Sequence, residues 1–447
     1  MPTTGSDKMA SRSLFSRMLL NVAWLIGGKG FGAVCSLVYL AVLTRSLGLK
    51  GFGHFALIFG TSQALIAIAG FQTWRVVVRY GADHVHRQNW DAFGRLSMLA
   101  GALDAVGAVL GCLIAYVVFF HFSDTLDLNP ELIETAFWFN IAAVWALVSA
   151  PTGIVRALDR FDVGIYVEAI VPVLRLLAAI AIWLTGPSLV RFLIAWAVID
   201  LIEAAVYWVM ARRLCPAAIR FRNLRLWRLA FAENKGVGRF FWVTYAGATL
   251  DALMKQGPLL AVGFLVGTSA AGLYRLAQQL AQGLGKLSNL LTRAVYAEIA
   301  RARAAATAAE FKALTVRTTA IAAAGGLVVV IFVLSFGRVL METLGGDAFA
   351  GGGPILVALS IAASFELASV AFEPFLHASA RADLSLLAHF TAVTVAAAGL
   401  VLLAPVHGAV GAGWGVAGGS ATLFLVMGFF ALYVMRDESR QGQSISH

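Results

Sequence analysis

Apolar runs of about twenty residues recur from Met18 to Met435, separated by short polar gaps. Twenty residues is the helix length that crosses the hydrocarbon of a bilayer. In lipid every backbone N–H and C=O must find its partner within the protein, and a run this long meets that demand as a helix. Composition agrees, with 60% hydrophobic and only 13% charged residues, against about 25% charged in soluble domains. Twelve spans are expected, at 18–43, 54–74, 96–120, 133–152, 165–184, 189–210, 240–266, 272–298, 314–336, 354–374, 384–404 and 408–435.

Charge placement orients them. With the N-terminus in the cytoplasm, 24 of the 34 Lys and Arg residues fall in cytoplasmic segments, 4 in outer segments and 6 inside spans. This asymmetry follows the positive-inside rule and puts both termini in the cytoplasm. The loop at 121–131 carries three acids and no Lys or Arg, as an outer loop should. The net charge of +10 is thereby explained by topology, and nucleic acid is not an expected partner. The basic N-terminus leads into a long apolar segment without a small-residue cleavage site, so a retained first helix is expected.

The spans divide six and six. The expected fold is an all-α polytopic membrane protein of about 12 transmembrane helices in two six-helix lobes, 1–210 and 240–447. Between them, 211–239 is a basic amphipathic connector suited to the anionic inner leaflet. Six spans separate corresponding helices, so the lobes form a parallel repeat with its axis along the membrane normal. Gly53-His54-Phe55 and Gly272-Leu273-Tyr274 occupy matching turns after the first span of each half. The loops are short, so function must reside in the spans.

The eighth span carries a polar stripe. On a helix turning about 100° per residue, Arg275, Gln278, Gln279, Gln282, Lys286, Asn289 and Arg293 share an arc of about 100°. A charge at a span centre costs about 2.5–3.5 kcal/mol, so the stripe is expected to face a wet cavity rather than lipid. Arg275 and Arg293, near the ends, can alternatively snorkel.

Further ionisable residues fall inside spans: Lys29, Asp104, Arg175, Asp200, Glu203, Asp251, Lys255 and Glu366. They must pair or face a water-filled vestibule. Asp251 and Lys255, four apart, can pair; alternatively Asp251 exchanges protons or sodium while Lys255 meets an anionic substrate. Pro258 loosens the following turn. Asp200 and Glu203 share a face and each can pair with Arg175 of the preceding span. Lys29, beside the Gly28-x-x-x-Gly32 spacing that permits close helix approach, has no carboxylate in its own helix and reads as a ligand residue. Lys29, Arg175, Lys255 and the stripe are therefore the candidate cavity residues, and Asp251 and Glu366 the candidate ion-coupling carboxylates. No catalytic, cofactor or metal site is expected: three scattered cysteines and eight histidines show no ligand spacing, and no nucleotide or nucleophile motif occurs. The last span (HGAVGAGWGVAGGS) has small residues a turn apart, a helix-packing pattern.

The first eighty residues carry a resemblance. Lys29 after paired glycines, Leu43-Thr44-Arg45 with Leu47-Gly48, Gly51-Phe52-Gly53 and Arg79-Tyr80-Gly81 resemble the start of Wzx-type polysaccharide flippases of the multidrug/oligosaccharidyl-lipid/polysaccharide exporter superfamily. The resemblance implies a MATE-like fold in the bacterial inner membrane and alternating access around a cationic cavity. It implies a substrate of oligosaccharide on a polyprenyl diphosphate, for O-antigen, capsule or exopolysaccharide synthesis. Polymerase and chain-length proteins of the same pathway become candidate partners, besides membrane lipids, and H+ or Na+ the coupling ion. Twelve spans weigh against the lipid II flippases of the superfamily, which usually have fourteen. Independently, a stripe of Arg, Lys, Gln and Asn suits a diphosphate and a glycan. The competing readings are a multidrug or metabolite antiporter of the same fold and a membrane enzyme of polysaccharide assembly. The enzyme reading suffers from having His389 as the only histidine inside a span and no large Arg-rich outer loop.

Overall fold

A computed structural model describes residues 6–122, 127–302, 308–372, 376 and 381–444. The side chains of 6–30, 250, 251, 253, 286–302, 308–315, 382 and 435–444 lie outside that description. The described residues form helices and short 3-10 turns: α1 Ser6–Ala69, α2 Thr73–His86, α3 Trp90–His121, α4 Ile133–Trp145, α5 Ser149–Ala157, α6 Phe161–Thr185, α7 Leu189–Leu214, α8 Trp227–Glu233, α9 Val237–Val266, α10 Thr268–Ala302, α11 Ala308–Gly345, α12 Gly353–Ser369 and α13 Ala382–Ser444. Each of the twelve expected spans falls on helix for most of its length. Seven described helices are long and apolar enough to cross a membrane, or eight if the bent pair Val237–Thr249 and Met254–Val266 is one span. Two of the seven, Phe31–Ala69 with 39 residues and Asp383–Val434 with 52, are each longer than one crossing of about 20 residues requires. Both contain a glycine with left-handed backbone, Gly48 (φ 64°) and Gly408 (φ 62°), where one helix ends and the next begins. Only glycine adopts that conformation without strain.

Two expectations from the sequence are corrected. The second span ends at Ala69, and the basic segment beyond it is not a loop but α2. Its buried Val76, Val77, Gly81 and His84 recur at helical spacing and give it an apolar face. The fourth span is two helices, α4 and α5, interrupted between Trp145 and Ser149.

The chain groups into two compact units. One comprises Met1–Ser46, Ile68–Ile114 and Ile141–Ala248; the other comprises Leu47–Ala67, Ala115–Asn140 and Thr249–His447. In the first, the α2–α5 pair packs on α3 and α7 through Val77, Phe93, Ala100, Ile154 and Ala211. Gly32 of α1 lies against Pro172 of α6, the close approach its small size permits. The connector is not a free loop. It forms turns at Pro216–Ile219 and Phe221–Leu226 and then α8. Arg95 of α3 pairs with Glu233, and His84 of α2 meets Asn234 at 3.0 Å.

In the second unit, the two halves of α13 fold back on each other along Gly411, Gly415 and Gly419, with Gly415 against Gly399. The packing reading of that glycine run is thus what the helix uses. The turns Gly53-His54-Phe55 and Gly272-Leu273-Tyr274 also meet: a Cβ on Gly53 would sit 2.1 Å from the Thr268 carbonyl oxygen, and one on Gly272 3.1 Å from the Gly53 nitrogen. Phe52 packs on Phe349 beside them. Asp127 closes this end. Its carboxylate accepts from the Thr268 backbone N–H (3.1 Å) and hydroxyl (2.9 Å) at the start of α10. Those bonds, the backbone one foremost, hold the Asp127 carboxyl below its usual range.

Candidate functional site

The polar stripe lies on α10 as its spacing requires, but its surroundings change along the helix. At the first turns, Arg275 and Gln278 are packed rather than wet, at 9% and 8% exposure. Arg275 donates to the side-chain oxygens of Gln278 (3.2 Å) and Gln256 (3.4 Å). Its guanidinium lies 5.4 Å from the centre of the Phe59 ring, which stacks on Phe55 and meets Phe139. Gln278 in turn donates to the Lys255 carbonyl at 2.8 Å. In this structure both residues are thus held among neighbouring side chains. A guanidinium taken from water needs acceptors around it, and the amides of Gln256 and Gln278 supply them. One and two turns on, Gln279 is half-buried and Gln282 exposed, so the stripe opens along its length. The side chains of Lys286, Asn289 and Arg293 lie outside the described residues, as do those of Lys29 and Asp251.

Lys255 is exposed, on the segment that also supplies Gln256. Glu366 is exposed as well, accepting from the Ser420 hydroxyl at 3.2 Å. Pro258 lies inside α9.

Arg175 belongs to a different cluster. In the first unit it pairs with Asp200 of α7 at 2.6 Å and lies 5.5 Å from the centre of the Trp196 ring. Tyr39 of α1 meets Trp196 edge-on at 5.5 Å. The pair ties α6 to α7, the packing role weighed against a cavity role in the sequence. Of the two carboxylates on that face, Asp200 is the partner. Glu203 stands a turn away, half-buried.

In the sequence Asp104 stands out only as one more ionisable residue inside a span. It is 6% exposed, yet it neither pairs with a cation among the described residues nor faces a vestibule. Thr73 donates to one carboxylate oxygen at 2.7 Å and the Ala150 backbone N–H to the other at 2.7 Å. Thr73 lies 31 residues away and Ala150 46, so no local spacing signals this cluster. The Arg79-Tyr80-Gly81 motif lies on α2 nearby in sequence. Gly81 abuts the Phe93 ring, while the Arg79 guanidinium stacks 4.4 Å from the centre of Phe240.

The polysaccharide biosynthesis protein family matches residues 18–302. The inner membrane protein YghQ of Escherichia coli (strain K12) is 26% identical over 343 residues, spanning 74% of this chain and 93% of its own. An inward-facing multidrug resistance MATE family transporter of the MOP superfamily superposes with TM-score 0.65 at 13% identity, over 91% of this chain and 96% of that one. The lipid II flippase MurJ gives 0.62 at 9% identity, over 91% and 87%. These structures are of transporters and a flippase, not of enzymes. The chain belongs to the polysaccharide biosynthesis protein family and has the fold of the multidrug/oligosaccharidyl-lipid/polysaccharide exporter superfamily.

Proposed function

We propose that the protein is a flippase that moves polyprenyl-diphosphate-linked oligosaccharide repeat units across the bacterial inner membrane for surface polysaccharide synthesis. One observation carries the reading: a polysaccharide-biosynthesis chain sets a guanidinium among amides on one helix face, and that face opens at Gln282. A diphosphate is recognised by charge-assisted hydrogen bonds from cations. Amides such as Gln279 and Gln282 suit glycan hydroxyls, which both donate and accept. The lipid tail stays in the bilayer. The six-helix lobes 1–210 and 240–447 alternate access, coupled to H+ or Na+, with both termini cytoplasmic. The exposed Phe221, Trp227 and Phe231 of the connector, interleaved with Arg220, Arg222, Arg225 and Arg228, suit contact with an anionic leaflet.

The test uses lipid extracts of a deletion strain, with glycans released by mild acid and weighed by mass spectrometry. Accumulated repeat units on polyprenyl diphosphate, with surface polysaccharide lost, are expected. Normal polysaccharide without accumulation, in a strain lacking any second flippase, would reject the reading and favour the antiporter. Restoring Lys286→Ala to that strain is expected to leave the protein in the membrane but the polysaccharide missing.

A further inference from the structure

Two breaks in helix lie beside one buried carboxylate. The chain leaves α1 at Ala69 and re-enters helix at Thr73 through Gln72, whose left-handed backbone (φ 51°) is unusual for a residue with a side chain. Gln72 accepts the Trp74 indole N–H at 3.0 Å, which holds the turn. The other break separates α4 from α5. Asp104, midway along α3, reaches the first residues of both new helices: the Thr73 hydroxyl at the start of α2 and the Ala150 N–H at the start of α5. The Ser149 hydroxyl joins them, 2.9 Å from Thr73 Oγ1 and accepting from the Trp74 N–H at 3.0 Å.

A helix N-terminus carries partial positive charge from its unpaired N–H groups. An ionised Asp104 is therefore matched to both breaks without a cation. Among the described residues, no charged side chain on the helices packed around it touches it. On α2, Arg75 stacks with Trp74 and His84 meets Asn234. On α5, Arg156 also stacks with Trp74. On α7, Asp200 holds Arg175 and Glu203 lies about a turn further on. The nearby face of α1 presents Ala69, against Gly107 of α3.

The two hydroxyls allow a second arrangement. One proton added to Asp104 Oδ1 makes that oxygen a donor to Thr73 Oγ1. The Thr73 hydroxyl then turns its hydrogen to Ser149 Oγ, a distance already suited to it. The bond between the two hydroxyls thereby reverses: Ser149, the donor to Thr73 Oγ1 in the ionised form, becomes the acceptor, and its own hydrogen turns away from Thr73. The carboxylate loses its charge, and the bond from Ala150 loses its charge assistance, which is worth about half its strength.

We infer that Asp104 is a proton-binding site of this transporter, and that its protonation loosens the starts of α2 and α5 from α3. This adds a third carboxylate to Asp251 and Glu366 and gives the coupling a mechanical consequence. It rests on the transporter reading but not on the identity of the cargo.

The test needs no cargo. Amide hydrogen exchange of the purified, detergent-solubilised full chain is followed across pH, corrected for intrinsic exchange, in peptides covering 149–157 and 73–86. In the wild type, protection of both segments is expected to fall together in one step as pH is lowered. Asp104→Asn, which has the shape of the protonated side chain, is expected to lose that step, with α5 exchanging about ten-fold faster at the high-pH end. Thr73→Val removes a donor that favours the ionised form, and is expected to move the step about one pH unit higher while keeping the fold. It also serves if the Asn variant does not fold. A flat wild-type profile, or a step unchanged by whichever variant folds, overturns the inference. Because the flippase reading is judged from lipid extracts, either reading can fail alone.

Discussion

Arg175 decides between two views of the interior cations, and a double-mutant cycle with Asp200 separates them. The pair is close at 2.6 Å, with side-chain exposures of 15% and 18%. At a charge separation of about 4 Å and an effective dielectric near 20, the attraction is about 4 kcal/mol. Removing one partner strands the other charge, which costs about 3–5 kcal/mol. Replacing both with apolar residues of similar size is often neutral or stabilising. Arg175→Met and Asp200→Leu should each lower the melting temperature of the detergent-solubilised protein markedly, and the double variant should recover most of the loss. The stacking on Trp196 leaves Arg175→Met a residual deficit of about 0.5–1 kcal/mol. Melting followed by intrinsic fluorescence, with surface polysaccharide measured in the complemented deletion strain, reads both stability and function. If the double variant is as unstable as the two singles summed, the pair is not the unit described here. If it is stable yet abolishes polysaccharide export, Arg175 acts on the cargo, and the packing role fails as a full account.

Gly53→Ala places its methyl against the Thr268 carbonyl, and backbone on both sides leaves little room to yield. It should destabilise by about 1–3 kcal/mol, whereas Gly247→Ala, with open space around its Cβ, should be neutral or stabilising by up to about 1 kcal/mol. Comparing the two melting curves checks both. Asp127 gives a pH dependence whose sign is fixed: its carboxyl is held below the ordinary value, so its contribution is complete above the unfolded value of about 3.9 and fades as pH falls through the depressed folded one. Hydrogen exchange at the start of α10 should therefore be indifferent to pH near neutrality, after correction for intrinsic rates, and faster in Asp127→Asn.

The spans were legible because a bilayer forces one solution on long apolar runs. The small-residue faces were legible too: Gly32, Gly411, Gly415 and Gly419 pack where their spacing places them. Periodicity also put Arg275 and Gln278 on one face of α10. It could not say what covers that face, because Gln256 and Phe59 arrive from segments 19 and 216 residues away. The amphipathic spacing in α2 was present in the sequence but hidden by its arginines, which read as loop charge.

What the sequence by itself determined is that the long apolar segments become helices, since lipid and backbone hydrogen bonding leave no alternative, and which of their residues share a face, since helical geometry is fixed. What only the tertiary structure decided is where charge is tolerated. Asp104 looks, in the chain, like one more carboxylate needing a cation. Its partners are instead the starts of two other helices, made available by breaks at 70–72 and 146–148. Pro151, in the first turn of α5, marks the second break by lacking the N–H that a continuous helix would need, but nothing near it in the chain marks Asp104 as its neighbour. Backbone dipoles act at a few ångströms in space, and distance along the chain carries no record of them.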